Sequence, residues 1–285
     1  MLTHPVPFRS ASCALLLAGL ALAAPANQPP AEVPESEVPE AEVLEPRIPE
    51  VAPSRPDIPQ LDAYERRDIA GFRVLVHRSL LEPGSVDGPR VLAALTWDLE
   101  LLADRSPRAA VEMLRRTTPI WVTPDLPSSG GWAARGLCHH PSREWLVNAG
   151  YGADRAGAVE VCDVGEYLLW RAEQPLCILH EMAHALQHEL GDPAEIRQAF
   201  EAARDAGTYQ SVPFVLTPGA GRRAYAMNNH IEYFAEISEA WFGRNDYFPF
   251  TRDDLIRADP RGAALVERIW SMPEAKNGAS IPSPL

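Results

Sequence analysis

Nine of the chain's 28 prolines fall between Asn27 and Gln60, a stretch that also contains no aromatic residue, glycine, histidine or cysteine. Such a segment cannot bury enough apolar surface to offset the entropy of ordering it, and its prolines favour an extended, semi-stiff chain. Folding is thereby confined to the residues C-terminal to it, and the 285 residues divide into 1–26, 27–60 and 61–285. Residues 1–26 read as a signal peptide: His4 and Arg9 precede an apolar run from Ala11 to Ala24, with a small-residue exit at Ala24-Pro25-Ala26. Residues 27–60 read as a disordered Pro/Glu-rich linker or pro-region that repeats a Glu-Val-Pro-Glu theme at Glu37–Glu40. The remaining length, about 225 residues, suits one compact domain.

The net charge of −13 is unevenly spread: the linker holds eight acidic residues against Arg47 and Arg55, Arg9 supplies +1, and 61–285 carries −8. An acidic domain disfavours nucleic acid and anionic lipid, both of which need a basic surface. No stable membrane span is expected after signal cleavage, and the expected location is secreted or periplasmic. Without the leader and its Cys13, three cysteines remain: Cys138, Cys162 and Cys177. A Cys138–Cys162 bridge would close a loop of about 25 residues and contribute roughly 3 kcal/mol, and the sequence leaves that bridge open. Cys177 reads as a buried apolar residue.

From Leu61 onward the pattern is α+β. Phe72–Val76, Ile120–Val122 and Val159–Cys162 are strand-like; Val91–Ala103, Pro175–Leu190, Ala194–Ala206 and Asn229–Phe242 have helical spacing, with Gly191 and Gly243 as stops.

The informative five residues are His180-Glu181-Met182-Ala183-His184. On a helix the two histidines share one face a turn apart, so both imidazoles reach one tetrahedral Zn²⁺. Glu181 then stands beside the metal, where its carboxylate can take a proton from water and pass it to a leaving amine. The flanking residues are apolar, and three polar groups on a mostly buried helix need a partner such as a metal. A metzincin would have glycine and a third histidine where Gln187 and Leu190 stand, so that class is excluded. His188 would lie about 12 Å along the axis from His180, too far to share the same ion. The better source of a third ligand is Asn229–Phe242, whose acids Glu232, Glu236 and Glu239 recur at i, i+4 and i+7 among aromatics. One can bind zinc while the next accepts a hydrogen bond from a ligand histidine.

A His-Glu-x-x-His helix followed by Glu-aromatic-Phe-Ala-Glu resembles the catalytic domain of anthrax lethal factor and its relatives, among them the Pro-Pro endopeptidases, over residues 174–187 and 225–242. The resemblance implies a gluzincin: a zincin-like metallopeptidase domain with a small mixed sheet, an active-site helix and a glutamate helix, holding one Zn²⁺ per chain. It implies His180, His184 and Glu232 as ligands, Glu181 as general base, Glu236 as the partner that supports Glu232, and Tyr225 as support for the oxyanion. The run Gly243-Arg244-Asn245-Asp246-Tyr247-Phe248-Pro249-Phe250 departs from the toxin and is similar to secreted bacterial and fungal relatives.

The expected function is that of an exported zinc-dependent metalloendopeptidase acting on a peptide or protein substrate. The alternative is a secreted zinc-containing module that binds a protein or cell-wall partner without cleaving it. Specificity is expected from loops such as Ser128–Arg143 and Tyr209–Arg222. His139 and His140 are expected on a loop or strand near the cleft, and His77 and His230 in structural roles.

Overall fold

The computed structural model describes residues 57–272; the leader at 1–26 and nearly all of the 27–60 segment lie outside the described residues. Packing begins slightly before Leu61, since Ile58 is buried and the Pro59 carbonyl accepts a hydrogen bond from Arg155 Nη2 at 2.9 Å.

The described residues form an α+β fold. In chain order the elements are β1 (Tyr64–Ile69), β2 (Phe72–His77), α1 (Asp87–Arg105), α2 (Arg108–Thr117), β3 (Ile120–Val122), β4 (Leu137–His139), α3 (Arg143–Ala149), β5 (Val159–Val161), α4 (Val164–Trp170), α5 (Cys177–Glu189), α6 (Ala194–Asp205), β6 (Val212–Phe214), β7 (Thr217–Arg222), α7 (His230–Phe242), α8 (Arg252–Ala258) and α9 (Pro260–Trp270). Five strands make one mixed sheet in the order β1-β2-β3-β5-β4, with β2, β3 and β5 parallel and both edge strands antiparallel to their neighbours. β6 and β7 form a separate hairpin. No helix among the described residues is long and apolar enough to cross a membrane.

Alternation along the strands gives the sheet two different faces. Val74, Val76, Ile120, Val122, Leu137, Val159 and Val161 join the main core with α1, α2 and α5. The opposite face carries Cys138, Glu160 and Cys162, buried beneath the segment around Tyr151 and Leu146. Charge is buried there with its partners. Glu160 Oε2 accepts from Arg155 Nε at 3.0 Å and faces His140 Nε2 at 2.8 Å, while the Thr123 hydroxyl donates to Oε1 at 2.5 Å. The Arg155 guanidinium lies 4.4 Å over the Trp121 ring and donates to the Tyr64 hydroxyl at 2.9 Å.

Burial pushes the Glu160 carboxyl up, but the His140 hydrogen bond and the Arg155 charge outweigh it and hold the group below its ordinary value of 4.5. A depressed folded value means that this stabilisation is complete above the unfolded value and is lost as pH falls through the folded one. Glu160→Gln strands the Arg155 charge, so unfolding in urea at pH 7 is expected to cost about 3–5 kcal/mol less in the variant. The deficit should shrink in acid.

The strand β4 that borders α5 is started by a glycine that no other residue can replace without movement. Gly136 has φ +47°, and a Cβ there would come 2.2 Å from the Trp170 ring. Its N–H donates to Glu166 Oε2 at 2.9 Å, tying the start of β4 to α4.

The second half of the domain is built around α7, whose Tyr233, Phe234, Ala235, Ile237 and Ala240 are buried against α5, α6, α8 and α9. Asp259 caps α9 through Gly262 N–H at 2.8 Å and accepts from the Tyr209 and Tyr233 hydroxyls at 2.9 and 2.6 Å. One buried carboxylate thereby joins α9, α7 and the chain after α6. The segments 128–143 and 209–222, read from sequence as loops, contain β4 and the β6–β7 hairpin.

Candidate metal centre

Helix α5 forms where the sequence expects it, over a run free of glycine and proline that stops at Leu190 and Gly191, the latter at φ +75°. All of Cys177–Gln187 is buried, so His180, Glu181 and His184 are carried into the interior by an otherwise apolar helix. Helix α7 packs directly on α5. Its N-cap is Asn229, whose Oδ1 accepts from the N–H groups of Ile231 and Glu232 at 2.8 and 2.9 Å. That cap fixes Glu232 in the first turn, where the helix dipole favours a carboxylate.

The two helices bring His180, His184 and Glu232 together. One donor atom from each lies within 4.8 Å of the others. Glu232 Oε2 stands 3.1 Å from His180 Nε2 and 3.4 Å from His184 Nε2, and the two imidazoles are perpendicular at 89°. Ligands about 2.0–2.1 Å from a tetrahedral ion are separated by about 3.3 Å, so these edges are those of a ligand triangle.

The electrostatics also call for a cation. Glu181, Glu232, Glu236 and Glu239 are each no more than 2% exposed. Among the described residues, the ion-pair partners of Glu232, Glu236 and Glu239 are imidazoles and never Lys or Arg. Burial opposes ionisation of Glu232, yet the His184 and His180 imidazoles hold its carboxyl well below the carboxylate range. Burial likewise disfavours charge on His180, but Glu232 and Glu239 hold its pKa well above the usual histidine value. Burial, with Asp246 and Glu239 alongside, pushes Glu236 far up; burial and the Glu239 charge raise Asp246 to about 7. The pocket holds more carboxylates than it can keep ionised, and Glu239 Oε2 is buried without a hydrogen-bond partner. These residues fit a divalent metal ion.

The acid that faces His180 Nδ1 is not the one a turn after Glu232 that helical spacing suggests. His180 Nδ1 donates to Glu239 Oε1 at 2.7 Å, whereas Glu236 Oε1 is 4.0 Å from that nitrogen. Gln174 Nε2 donates to the same Glu239 oxygen at 2.7 Å. Glu236 instead accepts from Asn245 Nδ2 at 3.1 Å, within the run after α7. The signal for Glu239 was present as helical phase. At 100° per residue, a position seven on is displaced about 20° from Glu232 and a position four on about 40°, so Glu239 keeps closer to the Glu232 meridian. Gln174 precedes the helix and had no spacing signal. Glu239→Gln is expected to weaken metal binding by about 10–100-fold, and Glu236→Gln by much less, as measured by competition with a chelating indicator.

Tyr225 opens a short 3₁₀ turn before α7, and its ring centroid is 6.4 Å from that of His180. His188 has its side chain 45% exposed and lies outside the ligand triangle. His139, on β4, is buried with its ring 5.4 Å from that of His188. His230 pairs with Asp192 at 3.1 Å, and His77 Nδ1 accepts from Ser79 N–H. Cys177 is buried in the main core. Comparison with protein-family models, curated proteins and solved structures found no match.

Proposed function

We propose that the protein is an exported zinc-dependent metalloendopeptidase with a zincin-like domain, similar in its catalytic helices to the lethal factor group. The observation that carries this reading is the His180–His184–Glu232 triangle with Glu181 adjacent in the chain, on a helix buried against the sheet. Two imidazole nitrogens and one carboxylate oxygen form the donor set of catalytic zinc in hydrolases. Bound zinc would polarise a carbonyl and make water acidic enough to be deprotonated near neutral pH.

The chain's own groups supply the rest. Glu181 takes the proton from the attacking water and returns it to the leaving amine. Tyr225, beside His180, donates its phenolic hydrogen to the oxyanion. Glu239 and Gln174 hold His180 in one ring orientation, so the ligand triangle needs no rearrangement as the substrate arrives.

Cys162 N–H bonds to the Gly136 carbonyl and His140 N–H to the Ala158 carbonyl, so those residues face β5. In an antiparallel ladder the alternate residues, Leu137 and His139, turn their backbone N–H and C=O groups away from β5, and both residues are buried. β4 also packs against α5.

The purified full chain should contain about one zinc, the stoichiometry of a single three-ligand site. Cuts mapped by mass spectrometry in a proteome-derived peptide library should vanish with chelator and return with zinc. Cleavage indifferent to chelator, or a chain that takes up no metal, removes this reading. A non-hydrolytic zinc module has one observation in its favour, namely that His180, His184 and Glu232 are no more than 4% exposed. Stoichiometric zinc without any cleavage would select it.

A further inference from the structure

A second group of metal- and redox-capable side chains lies on the opposite face of the sheet, separate from the ligand triangle. Cys138 pairs with Glu160 across the β4–β5 ladder, and Cys162 stands two residues beyond Glu160, on the same face. Their Sγ atoms are 3.2 Å apart, and both residues are fully buried. His140 Nε2 is 3.4 Å from Cys138 Sγ and 2.8 Å from Glu160 Oε2.

We infer that Cys138 and Cys162 form a disulfide that staples the edge strand β4 to β5. The alternative use of the same residues, a second zinc held by Cys138, Cys162 and His140, fits less well. A tetrahedral ion with Zn–S bonds near 2.3 Å holds two sulfurs about 3.7 Å apart, wider than the pair here. His140 Nε2 is already engaged by Glu160 at 2.8 Å. A disulfide S–S bond is about 2.05 Å, so side-chain rotation has to bring the two sulfurs about 1.1 Å closer than they stand.

The bond forms by exchange with a disulfide-bearing oxidant, the class of donor found in oxidising compartments. The thiolate of one cysteine attacks the donor disulfide, forming a mixed disulfide and releasing one donor thiolate. The second cysteine, deprotonated in turn, attacks the protein sulfur of that mixed disulfide and releases the other donor thiolate. The two protons lost from the cysteines end on the donor thiols, and the two electrons from the cysteine sulfurs reduce the donor. Burial holds both thiols above their ordinary range, so exchange in the folded domain is slow and the bond is made before β4 closes on β5. All three cysteines are thiols in the structure, and Cys177, buried in the other core, stays one when Cys138 and Cys162 bond.

The inference does not depend on catalysis or on the metal at α5. Full-length protein made in an oxidising compartment would be denatured, alkylated without reductant, digested and mapped. The peptides bearing Cys138 and Cys162 should be found joined and Cys177 alkylated. The melting temperature should fall by about 5–10 °C once the protein is refolded reduced, and a Cys138→Ala, Cys162→Ala double variant should show no such response to reductant. Alkylation of both Cys138 and Cys162 in the unreduced protein overturns the inference, as does a second zinc per chain that the double variant lacks. The mapping uses the wild-type chain, so it decides the matter even if the double variant fails to fold.

Discussion

Glu181→Gln is expected to lower peptide hydrolysis by about 10²–10⁴-fold while leaving one zinc per chain. The amide has the size and reach of the carboxylate but cannot take a proton from water, so the variant removes a proton acceptor and little else. Glu181 is 1% exposed on a helix packed from both sides, and an isosteric change there leaves the backbone ladder and its apolar neighbours in place. Metal content by plasma emission and turnover on a cleaved library peptide are the paired measurements. Full activity in Glu181→Gln would defeat the proposed role. Loss of zinc together with activity would show instead that the carboxylate serves the metal.

The second large effect is expected at Glu232. Glu232→Ala removes one corner of the donor triangle, and the remaining imidazoles, 4.7 Å apart between ring centroids, offer only two ligands. Metal that binds the folded state alone stabilises it by about 3–4 kcal/mol at 100–1,000 times its dissociation constant. For a domain of this size that is roughly 5–15 °C in melting temperature. The wild-type protein should therefore melt lower after treatment with chelator, and Glu232→Ala should melt at the same temperature with and without it. The apo variant should itself be destabilised, because the change removes the carboxylate that both imidazoles hold ionised, so the chelator response is compared within each protein. A variant that kept stoichiometric zinc and its chelator response would place the third ligand elsewhere, with Glu236 and Glu239 the first to test.

The helices of the site were legible for a reason that applies to few other segments here. Residues 177–189 and 230–242 are long, carry apolar residues at helical spacing and end at glycine, so local pattern and tertiary demand agree. The elements the sequence did not mark lack one of those properties. β1 reads Tyr-Glu-Arg-Arg-Asp-Ile and is an edge strand with three exposed residues, so it has little alternation to detect. β4 is three residues long, and its edge position depends on pairing with Val159–Val161, twenty residues further on. No local rule reaches that far.

By itself the sequence determined the α+β class, the paired histidines with an acid between them, and a carboxylate-bearing helix to complete them, because helical periodicity is a local property. Only the tertiary structure decided which acid does what. The packing of α7 on α5 sets Glu232 against both imidazoles, gives His180 Nδ1 to Glu239, and leaves Glu236 to Asn245. The same holds for Cys138 and Cys162, whose sulfurs meet because of the β4–β5 register. Distances between side chains on different elements follow from how the core packs those elements, and core packing is a property of the whole chain.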